Sequence, residues 1–349
     1  MRETADPEPG KGQLLLRVLS CAICASDLHF MDHPEAVAED DSGLWDYHAD
    51  RDIVMGHEFI GEVIAHGSGA DLDHPIGTRV TSLPVLFRDG VARIIGCSPE
   101  APGGFGELML VEASLARAVP SQIADDDAAL ADAFAVGEYY VRRSGAGSEA
   151  VPIVVGAGAI GLSAVAALQR RKIGPIIVSD YSPERRAIAE RLGAAVTVDP
   201  RERSPFDAWR ELALADQAPQ SAFEAGQAGQ AGARPDCVVF EFVGLPGVLD
   251  QIILDCEQGT QIYSAGGAPE GDHISSMVAK RKGISLHFGG GPKHEDWYGT
   301  LEAICRQELD VSPVIGMTID LDGVPEALNL ARRADGPARI MIHPQERGG

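Results

Sequence analysis

The segment CAICASDLHF, residues 21–30, carries two cysteines three positions apart, followed by a serine, an aspartate and a histidine. A Cys-x-x-Cys pair can be a redox centre, and a single thiolate can bind a metal ion. A strand that ends at this point would instead bury Cys21 and Cys24 in a core. The segment by itself leaves these three interpretations open.

Partners for a metal site occur further along the chain. The segment GHEFIGEV supplies His57 and Glu58, and LADAFAVGEYY supplies Asp132. Cysteine, histidine and a carboxylate that leave a fourth position open are the ligands of a catalytic zinc ion. Residues of these types are also common without a metal, so the spacing indicates a candidate site only.

A glycine turn, GAGAIG, follows the apolar run VPIVV and precedes an alanine-rich segment. This spacing after a strand and before a helix is typical of dinucleotide binding, because the helix N-terminus and the exposed backbone favour a pyrophosphate. The same turn can be purely structural in a doubly wound domain without a cofactor. The candidate cofactor-binding residues of the turn are Gly156, Gly158, Ala159, Ile160 and Gly161.

The next predicted strand ends at Asp180, where a carboxylate can bind the hydroxyls of the adenosine ribose. A carboxylate at this position repels a 2′-phosphate, so the sequence favours NAD over NADP. Arg185, in the helix that follows, is either a further cofactor contact or a surface residue.

Composition narrows the class of protein. A chain of 349 residues predicts two domains, and a formal net charge of −23 disfavours nucleic acid and anionic membranes as partners. No apolar run is long enough for a membrane span, and the first residues lack the apolar core of a secretory signal. The six cysteines are therefore expected as thiols or metal ligands in a cytoplasmic protein.

The pattern of apolar residues changes along the chain. Residues 12–120 contain short β-rich runs between Gly, Pro and Asp clusters, which predicts a mostly β, antiparallel domain. From Val151 strands and helices alternate, which predicts a doubly wound parallel sheet and an α/β fold class. The Gly, Ala and Gln-rich stretch near Ser221 is predicted to be a flexible surface insertion.

Four segments, CAICASDLH, GHEFIGEV, PGGFGELMLV and GAGAIG, resemble the zinc-dependent medium-chain dehydrogenase/reductase (alcohol dehydrogenase) superfamily in order and approximate spacing. The resemblance implies a GroES-like catalytic domain of residues 1–134 and 289–349 and a Rossmann NAD-binding domain of residues 135–288. The active site would lie in the cleft between them. The resemblance also implies one catalytic zinc ion, a small-molecule substrate, and a homodimer or homotetramer.

The resemblance assigns a role to most polar residues of the first two segments. Cys24 and His57 correspond to zinc ligands, and Asp132 lies where family members have a third ligand, Cys or Glu. Glu58 would sit behind the metal as an alternate ligand. Asp27 would hold the far ring nitrogen of His57 and so select its tautomer.

Ser26 corresponds to the hydroxyl that accepts the alcohol proton and passes it through the nicotinamide ribose to His29 near the surface. In this mechanism zinc stabilises the alkoxide, and the hydride leaves for the nicotinamide. A strand-end hydroxyl and a plain surface histidine are the alternatives for these two residues. Cys21 becomes a packed strand residue rather than half of a redox pair.

Three regions depart from the family pattern. The lobe before GGF offers only Cys97, so we expect no structural zinc ion there, because that site needs four cysteines. Few residues precede PEPG, which predicts an exposed sheet edge near residues 12–18. The acidic segment between His33 and Val54 contains aromatic residues that either line a substrate pocket or belong to a solvated loop and pack on the domain. The candidate walls are Trp45, Tyr47, Phe30, Leu83 and Phe87.

The main hypothesis is a zinc- and NAD-dependent dehydrogenase that interconverts a primary, secondary or polyol alcohol and its aldehyde or ketone. One alternative is a zinc-free, NADPH-dependent quinone or enoyl reductase of the same superfamily, against which Cys24, His57 and Asp180 argue. The other is a non-enzymatic nucleotide-binding scaffold, which would need no proton relay. The sequence does not identify the alcohol.

Overall fold

The computed structural model describes residues 3–34, 50–70, 73–215, 236–268 and 271–346. The chain forms two compact units, Met1–Ala135 with His294–Gly349, and Val136–Lys293. The expected domain limits at 134/135 and 288/289 stay predictions, and the nearest unit limits lie at 135/136 and 293/294. Trp45, Tyr47 and the insertion near Ser221 lie outside the described residues.

The secondary structure of the described residues follows the predicted runs. The strands are β1 Gln13–Ala22, β2 Glu58–His66, β3 Arg79–Ser82, β4 Val85–Arg88, β5 Val91–Ile94, β6 Leu108–Glu112, β7 Ala116–Ala118, β8 Val151–Val155, β9 Ile177–Ser179, β10 Val196–Val198, β11 Cys237–Glu241, β12 Gln261–Ser264, β13 Ser285–Phe288, β14 Ile315–Ile319 and β15 Arg339–Ile342. The helices are α1 Ala25–Asp32, α2 Asp125–Ala129, α3 Ala131–Ser144, α4 Ala159–Arg170, α5 Pro183–Arg191, α6 Pro205–Ala215, α7 Val248–Asp255, α8 Ser276–Lys282, α9 His294–Cys305 and α10 Val324–Ala331. In the part of the chain that the structure describes, no helix combines the length and the apolar character needed to cross a membrane.

The first unit is built on a mostly antiparallel sheet with the strand order β14-β15-β1-β2-β3-β7, in which β6 also pairs with β1. Strand β1 pairs with β2, with β6 over Gln13–Arg17, and with β15 at Cys21 and Ala22. Leu14 and Leu16 are fully buried. The prediction of an exposed edge near residues 12–18 is therefore wrong, because segments from later in the chain cover both edges of β1.

The second unit contains a parallel sheet with the order β10-β9-β8-β11-β12-β13, flanked in sequence by helices. Strand β8 is almost entirely buried, as expected for the apolar run VPIVV at the centre of a parallel sheet. Helix α4 is rich in alanine and packs close to the sheet, with most of its residues buried. The order reverses between β8 and β11, which confirms the predicted doubly wound α/β fold.

Candidate functional site

Three side chains predicted as zinc ligands converge in the first unit. The ligand atoms of Cys24, His57 and Glu58 all lie within 4.8 Å of one another. We call these three residues the metal-site group. Cys24 follows β1, and Glu58 begins β2, opposite Ala22 in the antiparallel pairing of the two strands. Strand pairing therefore brings the two distant segments together.

Helix α1 begins after its N-cap residue Cys24, where Asp27 supplies the capping contact. The backbone N–H of Cys24 donates to Oδ2 of Asp27 at 2.8 Å. The other carboxylate oxygen of Asp27 lies 3.4 Å from Nδ1 of His57. One buried side chain thus starts the helix and faces the ring nitrogen that the predicted role requires. The helix itself was not predicted, although Asp three residues after a helix start is a usual capping signal.

The loop before His57 is held by the GGF segment. Gly103 donates its backbone N–H to the carbonyl of Val54 at 2.7 Å. A Cβ on Gly103 would lie 2.2 Å from the carbonyl oxygen of Gly56, and one on Gly56 would lie 2.5 Å from the ring of Phe105. Only glycine fits this close approach, so the glycines of both segments are needed for the GGF segment to pack against the loop before His57.

Sequence reasoning missed Arg339, which lies against the metal-site group. Its Nη2 donates to Oε1 of Glu58 at 2.7 Å and lies 4.0 Å from Sγ of Cys24. Its Nη1 donates to the carbonyl of Ile23 at 2.9 Å. The side chain is only 4% exposed. The sequence signal for Arg339 is that it is a single charge at the start of the apolar segment RIMI. A charge in a buried strand requires a partner, so such a residue is a candidate for a buried ion pair.

Burial and neighbouring charges shift the pKa of every member of the metal-site group, downwards for the thiol and upwards for the carboxyl and the imidazole. Burial would raise the pKa of the Cys24 thiol, but the charge of Arg339 and a hydrogen bond with His57 lower it to about 6. Burial raises the pKa of Glu58 well above its usual value, and Arg339 opposes this. Burial would lower the pKa of His57, but the Asp27 carboxylate raises it well above its usual value.

The donor set fits a zinc ion. It offers one sulfur, one imidazole nitrogen and one carboxylate oxygen, which are the donors found in catalytic zinc sites. Oε2 of Glu58 is buried and lacks a hydrogen-bond partner within the protein. Such an atom is costly unless a cation or another donor satisfies it. Cys24, His57 and Glu58 could therefore hold a metal ion together.

Asp132 does not belong to the metal-site group. Among the residues that the structure describes, the only cluster of three possible ligand atoms within 4.8 Å is the metal-site group. Oδ1 of Asp132 instead accepts a hydrogen bond from Nε1 of the buried Trp297 at 2.9 Å. Burial raises the pKa of Asp132 to about 6. Asp132 as third ligand stays a prediction, and the geometry favours Glu58.

Ser26 and His29 lie on successive turns of α1. Oγ of Ser26 is 3.1 Å from Nε2 of His57, while His29 is exposed to solvent. Ser26 is thus a helical residue beside the metal-site group and not the end of a strand. Cys21, by contrast, is fully buried in β1, and burial raises the pKa of its thiol well above the usual value.

The glycine turn in the second unit leaves open space at the start of α4. Gly156 has a φ of +94°, and a Cβ on Gly161 would lie 1.8 Å from the carbonyl oxygen of Gly156. A Cβ on Gly158, the N-cap of α4, would meet no atom within 4 Å. Two glycines are therefore required by the turn itself, while Gly158 borders the space that a pyrophosphate would occupy.

Asp180 follows β9 and faces the glycine turn. Its carboxylate accepts the backbone N–H of Ala157 at 2.7 Å and that of Ser182 at 2.8 Å. Arg185 lies in the first turn of α5 and is half-buried. The carboxylate is thus fixed next to the predicted phosphate site, as ribose binding would require. The remaining residues of the turn, Ala159 and Ile160, begin α4.

Two family models match the chain. Residues 10–121 match the model of the alcohol dehydrogenase GroES-like domain, and residues 159–306 match that of the zinc-binding dehydrogenase. Together they cover most of the chain, in the predicted order. The chain belongs to the zinc-dependent medium-chain dehydrogenase/reductase superfamily. This confirms the resemblance drawn from the four segments.

This dehydrogenase is similar to several characterised proteins. It is 27% identical to L-threonine 3-dehydrogenase from Rhizobium rhizogenes, over 98% of this chain and 94% of the relative. Its fold resembles 2R,3R-butanediol dehydrogenase from Bacillus subtilis, with a TM-score of 0.76, 24% identity, and coverage of 99% and 96%. It also resembles an alcohol dehydrogenase from Escherichia coli complexed with NADH, with a TM-score of 0.74, 21% identity, and coverage of 97% and 93%.

The two family models make the chain an alcohol dehydrogenase-like oxidoreductase of the zinc-binding type.

The other candidate pocket walls and Cys97 lie in different environments. Phe30 and Leu83 are buried, whereas Phe87 on β4 is 47% exposed. Cys97 is buried, and burial raises its pKa to about 12, so it is a protonated thiol at neutral pH. Glu112 ties this lobe to the sheet, because its carboxylate accepts the backbone N–H of Phe87 at 2.8 Å. The absence of a structural zinc ion stays a prediction.

Proposed function

We propose that this dehydrogenase interconverts a small alcohol and its carbonyl compound with zinc and NAD. The observation that carries the proposal is the metal-site group, with the hydroxyl of Ser26 3.1 Å from His57. Primary, secondary and polyol alcohols all fit this chemistry. The names of the relatives, L-threonine 3-dehydrogenase and 2R,3R-butanediol dehydrogenase, favour a secondary alcohol.

When bound, zinc would supply a Lewis acid and the nicotinamide ring a hydride acceptor. Asp27 faces Nδ1 of His57, which favours a proton on that atom and leaves Nε2 as the ligand atom. Ser26 accepts the alcohol proton at Oγ, and the exposed His29, one turn later in α1, gives the proton a route towards solvent.

The preference for NAD rests on Asp180. Its carboxylate is held by two backbone N–H groups and would accept hydrogen bonds from the ribose hydroxyls. The negative charge would repel the 2′-phosphate of NADP. Arg185 is the proposed second contact on this side of the cofactor.

The test is a panel of primary, secondary and polyol alcohols, L-threonine included, with NAD and with NADP, read by nicotinamide absorbance alongside zinc content. We expect about one zinc ion per chain and turnover with NAD. Cys24→Ala should abolish both while NADH affinity is kept. Cys97→Ala is the matched control and should retain zinc and turnover. Full activity in metal-free protein would establish the zinc-free reductase instead.

We further propose a homodimer or homotetramer in the cytoplasm. Strand β13 is the last strand of the parallel sheet, and its Phe288 is 57% exposed. An open strand edge with an exposed aromatic residue favours pairing with a second copy. All six cysteines are free thiols, as a reducing compartment requires. Light scattering of the purified protein measures the oligomeric state directly, and a monomer would refute this part of the proposal.

A further inference from the structure

Glu241 is a buried carboxylate that belongs neither to the metal-site group nor to the glycine turn. It ends β11 and is 1% exposed. Its Oε1 accepts the backbone N–H groups of Val243 and Gly244 at 2.7 and 2.8 Å. Its Oε2 accepts the hydroxyl of Ser264, at the end of β12, at 2.6 Å. One side chain therefore joins the loop after β11 to the loop after β12.

The two loops pack too closely for a ligand to reach this carboxylate. A Cβ on Gly266 would lie 2.4 Å from the backbone nitrogen of Gly244 and 2.5 Å from Oε2 of Glu241. The backbone N–H of Ala265 also donates to the carbonyl of Glu241 at 3.0 Å. Glu241 can therefore act on a bound molecule only through the loops that it holds.

The loop after β11 lies where a doubly wound sheet binds its ligand. The strand order reverses between β8 and β11, and ligands of such sheets bind outside the carboxyl ends of the strands at this point. A Cβ on Gly156 would lie 2.8 Å from Cγ2 of Val243, so this loop contacts the glycine turn. Val243 and Leu245 remain 38% and 61% exposed, an apolar surface beside the turn.

The halves of a dinucleotide would lie on opposite sides of this point. Asp180, the proposed ribose carboxylate, follows β9 on the β10 side of β8. The adenosine half is then expected over β8 to β10, and the nicotinamide half over β11 to β13. Glu241 stands on the nicotinamide side.

We propose that Glu241 is a positioning residue that holds residues 242–245 in the shape that receives the nicotinamide half of the cofactor. The inference rests on the proposed dinucleotide function. Without the carboxylate, the partly buried backbone N–H groups of Val243 and Gly244 lose their acceptor, and the loop must move or admit water to satisfy them. The adenosine side has its own anchor in Asp180 and does not depend on this loop.

The experiment compares the affinities of the full-length protein for NADH and for ADP-ribose, which lacks the nicotinamide ring. Glu241→Ala should weaken NADH binding about tenfold and change ADP-ribose binding less than about twofold. Glu241→Gln should bind NADH within about threefold of the parent protein, since its carbonyl oxygen can accept both N–H groups. The Ser264 hydroxyl lies 3.2 Å from the carbonyl of Gly266 and can donate there instead.

Asp180→Ala is the comparison variant and should weaken both ligands. Equal losses for NADH and ADP-ribose in Glu241→Ala, or no loss for either, would overturn the inference, as would a Glu241→Gln variant as weak as Glu241→Ala. If Glu241→Ala does not fold, Ser264→Ala must show the same selective loss of NADH on a smaller scale. A parent protein that binds neither ligand would instead refute the proposed function.

Discussion

The metal-site group combines Cys24 with His57 and Glu58 from a second segment, and Arg339 from a third segment lies against it. The glycine turn, in contrast, is formed by the consecutive residues 156–161. In the proposed function, side chains would bind the metal in the first region, and the backbone would bind the cofactor phosphates in the second. A site made of side chains depends on buried charges being paired by the tertiary fold. A site made of backbone atoms depends on which positions are glycine.

The largest effect should come from Arg339→Met in the first region. The substitution keeps most of the volume and removes the charge that pairs with the buried Glu58 carboxylate, which must then be protonated or stay unpaired, so we expect a loss of about 3 to 5 kcal/mol in the free energy of unfolding. The measurement is denaturant unfolding of metal-free protein. The zinc content of the folded fraction should fall as well.

Arg17→Met is the matched control on the same sheet. Arg17 pairs with Glu62 at 2.7 Å, but its side chain is 45% exposed, so the loss should be below about 1 kcal/mol. The double variant Arg339→Met/Glu58→Gln should recover much of the stability, because the unpaired charge is gone. Similar losses for the two arginines would show that the buried pair does not stabilise the fold.

Two alanine substitutions separate turn geometry from ligand space in the second region. Gly161→Ala places a Cβ against the carbonyl of Gly156 and should lower the unfolding free energy by about 1 to 3 kcal/mol. Gly158→Ala meets open space, so its melting temperature should stay near that of the parent protein. NADH binding should nevertheless weaken, because the new methyl group fills the proposed phosphate space.

Melting curves with and without NADH measure both effects. A Gly158→Ala variant with unchanged NADH affinity would contradict the placement of the phosphate.

Asp180→Ser tests the carboxylate that follows β9 and accepts a backbone N–H of the glycine turn. We expect the ratio of kcat/KM for NAD over NADP to fall about tenfold or more, because a hydrogen bond to a charged group is lost and the repulsion of the 2′-phosphate ends. Arg186 and Arg201 donate to the backbone carbonyls of residues 180 and 181, so positive charge is already close. An unchanged ratio would mean that other residues select the cofactor.

The smallest effect concerns a partly exposed histidine in the first unit. Burial would lower the pKa of His343, but a hydrogen bond to Asp126 at 2.8 Å raises it above its usual value. Protonated His343 therefore stabilises the fold. Its contribution is complete below the unfolded pKa of about 6.5 and disappears as the pH rises through the raised value.

His343→Gln should accordingly lower the free energy of unfolding more at about pH 5.5 than at about pH 9, with a difference of less than about 1 kcal/mol. A larger effect of His343→Gln at the higher pH would reverse the sign and exclude the ion pair as its cause.

Much of this molecule could be predicted from local patterns. The α/β class, the doubly wound sheet and the glycine turn follow from apolar runs and glycine spacing, because these act over a few consecutive residues. The exposed edge at residues 12–18 was predicted wrongly, because β6 and β15 come from more distant parts of the chain. Helix α1 was missed, although its capping residue Asp27 was already singled out for another role.

The sequence by itself determined which residues can act: the donors Cys24 and His57, the hydroxyl of Ser26 and the glycines of the turn. Only the tertiary structure decided how they combine. It brought Glu58 rather than Asp132 into the metal-site group and placed Arg339 against it. The physical reason is that burial and charge pairing depend on strands far apart in the chain, whereas a glycine turn is complete within its own six residues.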